Sequence, residues 1–457
     1  MINAKDINKN IFREYDIRGV YPKDLNKDVA YIIGKAYGTY IKKFNQKDCV
    51  IGYDNRYSSP EIAENLIEGI TSTGTHVLNI GLVTTPMYYY ACIKTNTPAG
   101  IMVTASHNPK DDNGFKMSFD ERGNARGEMI KDFYNFILKE DFDTGDGIVS
   151  FMDITDDYYD LLLSSIDMGS KNIKVVIDCG NGTTSLFAPE IFTFAGFTPI
   201  VLYGESDPDF PNHHPDPSVE ENLRVLKFAV QNFDADVGIA FDGDGDRIGI
   251  VDEKGNVIPA DKFMIIIIRD LIQKYENKKY LYDVKCSKAL SDEIKKLGGE
   301  GECYRTGNSY TKARCKEGNF IFGGEYSGHV FFRDKFPGFD SAIYAGLRLI
   351  EILSKTDKKL SELLNGINNY YSTSELKFPS TDDRKFEVVS KIKEYAIEQN
   401  YSINDIDGVR VEFNDGWALV RCSNTGPNIT ARFEAKTENR LKEIEDEFTK
   451  LIEQYNK

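Results

Sequence analysis

Short apolar strand patterns alternate with helix patterns in three successive stretches of this 457-residue chain, and in a fourth stretch the alternation gives way to consecutive strands. In the first stretch, Val29, Ile32, Ile33, Ala36, Tyr37, Tyr40 and Ile41 fall on one face of a helix. CVIGYD (49–54) then reads as a strand, Ser59-Pro60 opens another helix, and HVLNIG (76–81), a segment after Pro86 and AGIMV (99–103) continue the series. The second stretch holds KVVIDC (174–179), a helix near 184–196, PIVLYG (199–204), a helix near 218–232 and VGIAF (237–241). The third holds a helix around 261–275, YLYDVKC (280–286), a helix near 288–297, ECYRTG (302–307) and FIFGG (320–324). In the last stretch VRVEF (409–413), WALVRC (417–422) and ITARFEA (429–435) follow one another, flanked by helix patterns at 384–399 and 438–455. Strand–helix alternation builds mixed, mostly parallel sheets covered by helices. The expected architecture is three similar α/β domains, 1–147, 148–252 and 253–370, and a C-terminal α+β domain, 371–457.

Composition narrows the function classes. The formal charge is −16, which argues against a nucleic-acid partner, since binding a phosphate backbone needs a clustered basic face. The apolar run Phe263 to Ile268 is too short to span a bilayer, and the first residues carry no signal-type segment, so no membrane partner is expected. Seven scattered cysteines form no CxxC pair, as suits reduced thiols in a cytoplasmic protein.

Three loops, each directly after a strand pattern, carry the chemistry, and a fourth constellation lies in the last stretch. In FDGDGDR (241–247), Asp242, Asp244 and Asp246 alternate with glycine. Two unit charges at about 4 Å repel by about 4 kcal/mol at an effective dielectric near 20. A hard divalent cation removes that cost, and glycines let the three carboxylates converge. A calcium-binding EF-hand fails here: Arg247 sits where that loop needs glycine, and both flanks read as strands. Mg²⁺ fits better, because it takes a few carboxylates plus a phosphate oxygen.

TASHNP (104–109) puts Ser106 beyond the carboxyl end of a strand, where ligands bind in open α/β sheets. No GxSxG elbow accompanies it, and His107 is its immediate neighbour. A serine that carries phosphate suits the pattern, its phosphoryl group adding a ligand to the cation held by the aspartates. In GGEYSGH (323–329), an extended segment would point Glu325, Ser327 and His329 the same way, a set suited to sugar hydroxyls; a Gly-rich structural turn uses the same residues. In RCSNTGPN, Arg421 with Ser423, Asn424, Thr425 and Gly426 suits a phosphate cradle as well as an ordinary turn.

FREYDIRG (12–19), TASHNP (104–109), NGFK (113–116), DGDGDR (242–247), DVKC (283–286), GGEYSGH (323–329) and RCSNTGP (421–427) appear in the same order in one family. The chain resembles the α-D-phosphohexomutase superfamily over its whole length, most closely the bacterial phosphomannomutase/phosphoglucomutase group. The resemblance implies a heart-shaped four-domain molecule with a central cleft. It implies that Ser106 is phosphorylated and converts hexose 1-phosphate (mannose or glucose) to hexose 6-phosphate through a hexose 1,6-bisphosphate, which also serves as activator. Asp242, Asp244 and Asp246 are then the Mg²⁺ ligands with the phosphoserine. Glu325 and Ser327 contact sugar hydroxyls, while Arg421, Ser423, Asn424 and Thr425 hold the phosphate that is not transferred. Arg18, Lys116, Arg247, Lys285, Asn308 and His329 line the cleft, with His107 beside the serine and Lys116 and His329 as proton-transfer groups. The expected partner is a small phosphosugar, and the expected state is a monomer or weak homodimer.

Three positions depart from the group's usual pattern. Asn308 stands where histidine is common, which bears on the contact at the sugar and on the balance between glucose and mannose. Tyr326 replaces methionine, or the glutamine of phosphoglucosamine mutases, and Tyr53 replaces arginine in GYDNRYS (52–58). The alternatives are a phosphoglucosamine mutase and a Mg²⁺-dependent sugar phosphatase.

Overall fold

In the computed structural model, which describes residues 3–381, 383–423 and 426–457, the chain forms two compact bodies: Met1–Ala260 with Ser327–Leu363, and Asp261–Tyr326 with Leu364–Lys457. The first body carries two mixed sheets. One runs Ile17–Val20, Asp112–Ser118, Gly100–Val103, Asp48–Tyr53, His76–Leu82 and Val149–Phe151. Its first two junctions are antiparallel and the other three parallel. The helix Lys27–Tyr40 buries the stripe read from the sequence, from Val29 to Tyr40, against the helix Ser59–Thr71 and the aromatic cluster of Phe119, Phe133 and Phe136. The N-cap Asn26 accepts hydrogen bonds from the backbone N–H of Asp28 and Val29, which fixes where that helix starts.

The second sheet runs Val257–Ile258, Ile248–Asp252, Val237–Phe241, Val175–Asp178 and Ile200–Leu202. Its central strands are buried along their whole length, so they read as apolar runs with no alternation. The antiparallel hairpin of Val237–Phe241 and Ile248–Asp252 turns at the aspartate loop and aims it off the end of the sheet.

The second body also carries two sheets. Glu300–Tyr304, Lys279–Asp283 and Phe322–Gly324 lie side by side and parallel. Asn428–Ala435, Gly416–Cys422, Val409–Phe413 and Ser402–Asn404 form an antiparallel sheet, with Tyr371–Ser372 and Leu376–Pro379 on the outer edge of Asn428–Ala435. The helices Arg384–Glu398 and Glu438–Tyr455 cover one face. Among the described residues no helix is long and apolar enough to cross a membrane.

Among the elements that go beyond the sequence reading, two bear on the site. Asp112–Ser118, just after the serine loop, pairs antiparallel with Gly100–Val103, so Ser106 sits in the connection of a hairpin. Asn308–Glu317 is a helix whose buried residues are Asn308, Ser309, Thr311 and Cys315, a set without an apolar stripe to read.

Candidate active site

Ser106 has a backbone φ of +53°, a left-handed conformation that costs an L-residue roughly 1–2 kcal/mol. The surroundings that hold it there come from Arg56, which is 1% exposed. Its Nη2 donates to the carbonyls of Ser106 (2.8 Å) and Asn108 (2.7 Å), and its Nη1 to those of Pro109 (2.5 Å) and Asp112 (3.1 Å). Asp54 balances the charge through Nε at 3.2 Å. The Ser106 N–H donates to Thr104 Oγ1 at 2.8 Å, and its hydroxyl donates to Asp242 Oδ2 at 2.8 Å. Arg18 reaches the same loop, donating to the Ala105 carbonyl (3.1 Å) and Asn108 Oδ1 (2.6 Å) while paired with Asp16 (2.7 Å).

The aspartate loop wraps around one carboxylate oxygen. Asp242 Oδ1 accepts the backbone N–H groups of Gly245 (3.1 Å), Asp246 (3.0 Å) and Arg247 (3.0 Å). Gly245 has φ +81°, and a methyl group at Gly243 would stand 2.6 Å from the Ser106 carbonyl oxygen. The glycines therefore let the loop turn and let it approach the serine. Asp244 Oδ2 accepts Thr85 Oγ1 (2.5 Å), Thr104 Oγ1 (3.3 Å) and Lys116 Nζ (2.6 Å), and Lys116 Nζ also donates to Asp246 Oδ2 (2.5 Å). Thr104 thus ties the serine backbone to the aspartate cage.

One oxygen from each of Asp242, Asp244 and Asp246 lies within 4.8 Å of the others, all three residues being buried. Asp244 Oδ1 and Asp246 Oδ1 are buried and accept no hydrogen bond among the described residues. Burial, with Asp246 and Asp244 beside it, pushes the Asp242 carboxyl well above the usual carboxylate range. Burial alone would lower the Lys116 ammonium, but the three aspartates outweigh it and hold it above its ordinary value. Buried carboxylate oxygens without a hydrogen bond, in a close set of three carboxylates, are what a hard divalent cation satisfies, so the residues present fit such an ion.

Arg247 stands between two histidines. Its Nε donates to His329 Nε2 at 2.9 Å and its Nη1 lies 3.3 Å from His107 Nε2. Burial, followed by the charges of Arg247 and Arg18, pushes the His107 imidazole well below its usual range, so it is neutral near pH 7. Its Nδ1 lies 3.3 Å from Ser106 Oγ. Ser106, His107, Lys116, Arg247, His329 and the three aspartates, read from separate loops, thus gather in one body, and Arg18 reaches the serine loop.

The second body holds the other group. Glu325, 2% exposed, accepts the Gly307 N–H (2.9 Å) and Thr311 Oγ1 (2.5 Å) on its Oε1. Tyr326 donates its N–H to Asp283 Oδ1 (3.1 Å), and its ring lies 3.6 Å under the Arg432 guanidinium. Residues 326–328 turn, with Gly328 at φ +97°, so the alternation expected of an extended GGEYSGH does not apply; only glycine takes that conformation freely. Asn308 is buried at the start of its helix, beside Ser309 Oγ at 3.2 Å.

Lys285 pairs with Glu375 Oε2 at 3.2 Å, and Lys285 holds the Glu375 carboxyl below its ordinary range. Arg410 donates to the carbonyls of Val284 (2.5 Å) and Cys286 (3.0 Å), and Arg432 to that of Lys285, which fixes this loop from its backbone as Arg56 fixes the serine loop. Arg421 forms a two-pronged pair with Asp407, at 2.9 and 3.3 Å. The Ser423 carbonyl accepts Lys385 Nζ at 3.1 Å. Asn424 and Thr425 lie outside the described residues. Sequence reading missed Thr85, Thr104, Glu375, Lys385 and Asp407.

Mixed α/β sheets that set a serine hydroxyl against a tri-carboxylate cage define an enzyme of phosphotransferase type. Sequence comparison narrows the class. Models of phosphoglucomutase/phosphomannomutase match successive segments: alpha/beta/alpha domain I over residues 9–144, domain II over 156–255, domain III over 259–370 and the C-terminal domain over 375–451. The chain belongs to the phosphoglucomutase/phosphomannomutase family. A phosphomannomutase/phosphoglucomutase of Pseudomonas syringae pv. tomato is 39% identical over 438 residues, covering 96% of this chain and 94% of the relative. A phosphoglucomutase of Neisseria gonorrhoeae is 40% identical over 453 residues, covering 98% and 97%. The crystal structure of a phosphoglucomutase/phosphomannomutase family protein from Burkholderia thailandensis superposes with a TM-score of 0.91 at 36% identity, over 98% of each chain.

Proposed function

We propose that the chain interconverts hexose 1-phosphate and hexose 6-phosphate, of mannose, glucose or both, through a phosphorylated Ser106 and a hexose 1,6-bisphosphate. The observation that carries this reading is the Ser106 hydroxyl at 2.8 Å from Asp242, in a cage with two further carboxylate oxygens left unbonded. Asp242, Asp244 and Asp246 would hold Mg²⁺, which would neutralise charge on the transferring phosphoryl group.

In the first half-reaction a sugar hydroxyl oxygen bonds to phosphorus as the Ser106 Oγ–P bond breaks. His329, whose Nε2 is an acceptor, takes the hydroxyl proton, and the Lys116 ammonium is the donor available to the serine oxygen. Arg247, with Lys116, offsets charge on the group in transit. The second half-reaction repeats the first in reverse with the bisphosphate turned end for end. Lys285, Arg421, Ser423, Asn424 and Thr425 hold the phosphate that stays, and Glu325, Ser327 and Asn308 face sugar hydroxyls. Arg18 steadies the loop of Ser106 and His107. The matched segments support four functional domains, 1–147, 148–252, 253–370 and 371–457.

A coupled assay with glucose 1-phosphate, mannose 1-phosphate and glucosamine 1-phosphate tests the reading, with inorganic phosphate followed in parallel. The expected result is isomerisation without phosphate release, stimulated by catalytic hexose 1,6-bisphosphate and abolished in Ser106→Ala at unchanged thermal stability. Net phosphate release indicates a phosphatase, preference for the amino sugar a phosphoglucosamine mutase, and near-normal turnover by Ser106→Ala overturns the phosphoserine.

A further inference from the structure

His329 has a carboxylate behind it that the mechanism above does not use. Its Nδ1 lies 2.7 Å from Asp340 Oδ2 and 3.6 Å from Asp246 Oδ1, and Asp340 is 0% exposed. Asp246, His329 and Asp340 could by proximity hold a second metal ion. The hydrogen bonding decides otherwise. Arg247 Nε carries a hydrogen it cannot lose near neutral pH and directs it at His329 Nε2, 2.9 Å away. Nε2 therefore presents its lone pair, and the ring hydrogen sits on Nδ1, where Asp340 accepts it. A metal at Nδ1 would push that proton to Nε2, into the Arg247 N–H.

We propose that Asp340 is the positioning residue of His329, holding the ring proton on Nδ1 so that Nε2 stays the acceptor, while Arg247 caps Nε2 until a phosphoryl group draws the guanidinium away. This rests on the reading of His329 as the base. Asp340 sits in the one-residue reach where the chain pairs backbone to backbone with Phe331, two positions beyond His329, so ring and carboxylate are fixed to one local frame. The step balances without further reagents. A lone pair of the sugar hydroxyl oxygen forms the new O–P bond, the O–H pair stays on that oxygen as its proton goes to Nε2, and the pair of the broken Oγ–P bond leaves on the Ser106 oxygen, which takes a proton from Lys116. The imidazolium so formed keeps Nδ1–H on Asp340, which now stabilises it as a charge-assisted bond. Asp340 touches neither substrate nor phosphorus in this scheme.

The test begins with the wild-type full chain in Mg²⁺, carrying ¹⁵N-histidine. The protein has five histidines, and the His329→Gln spectrum assigns the relevant one. Two-bond ¹H–¹⁵N correlations are expected to show a protonated Nδ1 and an unprotonated Nε2; an unprotonated Nδ1 overturns the proposal whatever the activity. Asp340→Asn, which can still accept from Nδ1 but carries no charge, is expected to keep the tautomer and lower kcat about 10- to 100-fold at nearly unchanged KM. Asp340→Leu is expected to lose the single tautomer and to lower kcat further, within the roughly 10²- to 10⁴-fold span of a general base. An Asp340→Asn enzyme with normal kcat, or a change in KM alone, overturns the proposal. An active Ser106→Ala enzyme would instead remove the mutase reading and leave the tautomer assignment standing.

Discussion

The Arg56 guanidinium donates to the Ser106 carbonyl at 2.8 Å, and through three further carbonyls it gathers the whole loop from Ser106 to Asp112 around one buried charge. The left-handed backbone at Ser106 is held from behind by this fork. A lysine supplies the charge but not the planar set of donors. Arg56→Lys is expected to lose at least one hydrogen bond to a charged group, each worth about 1.5–3 kcal/mol. A shift of about 1 Å at the serine lowers turnover on the order of 100-fold. Denaturant unfolding and the coupled assay on one preparation check both, and a stable variant with normal kcat would show that the loop holds its own shape.

Asp242 makes an opposite prediction for stability and for activity. Its carboxyl is raised above its ordinary value of 3.8 by burial and by Asp246 and Asp244. The folded-state benefit of such a group is present below that value and is lost as pH rises through the folded pKa. As pH rises through the folded value, the metal-free protein comes to bear the cost of a third buried carboxylate. Asp242→Asn keeps the acceptor for the three backbone N–H groups and removes a charge. It is expected to be inactive, yet more stable than wild type in EDTA by on the order of 1–2 kcal/mol, since a close pair costs about 4 kcal/mol before Lys116 offsets it. Added Mg²⁺ should raise the Tm of wild type and leave the variant's unchanged. A lower Tm in EDTA for the variant would mean that the cage is not under repulsion.

The candidate loops DGDGDR and TASHNP could be picked out of the sequence because each is contiguous, holding its chemical groups within a few residues after an apolar strand. What holds them was not legible. Arg56 lies 50 residues before Ser106 and Asp340 lies 11 after His329, and neither spacing has a period that a helix or strand would explain. Asp407 meets Arg421 only through the pairing of Val409–Phe413 with Gly416–Cys422. The helix Asn308–Glu317 escaped because its buried face is polar, and the turn at 326–328 escaped because Gly328 leaves the extended region. Fold class survives such omissions, since alternating strands and helices specify layers without specifying which polar side chains meet.

Arg421 separates binding from chemistry. It holds Asp407 in two prongs, and Asp407 also accepts the Thr306 N–H at 3.0 Å. If its task is the phosphate that stays on the sugar, that contact is made alike in ground and transition states, so its loss raises KM and spares kcat. Arg421→Ala is expected to raise KM about 10- to 100-fold, the equivalent of a hydrogen bond to a charged group. The variant also takes the arginine pair from Asp407, a half-buried carboxylate, and should lose stability. The double variant Arg421→Ala/Asp407→Ala should recover much of that stability and none of the KM, which distinguishes a lost ligand contact from a damaged fold. An unchanged KM in the single variant removes the clamp.

His213 gives the pH dependence its sign. Its Nε2 lies 3.1 Å from both oxygens of Asp178, and its Nδ1 faces the His214 carbonyl at 2.9 Å, so both ring nitrogens sit where donors belong. Burial alone would lower this imidazole, but Asp178 outweighs it and the folded value stands above the ordinary 6.5. A raised value means that the stabilisation is complete below pH 6.5 and is lost as pH rises through the folded pKa. His213→Gln keeps one hydrogen bond and cannot carry charge. Wild type is therefore expected to exceed the variant by about 1.5–3 kcal/mol, the worth of a charge-assisted bond, at pH 6, with the gap closing toward pH 9. Urea unfolding of both proteins at the two pH values measures it. A gap that stays constant would make the contact one of packing, and one that widens with pH would mean the ring is neutral in the folded protein.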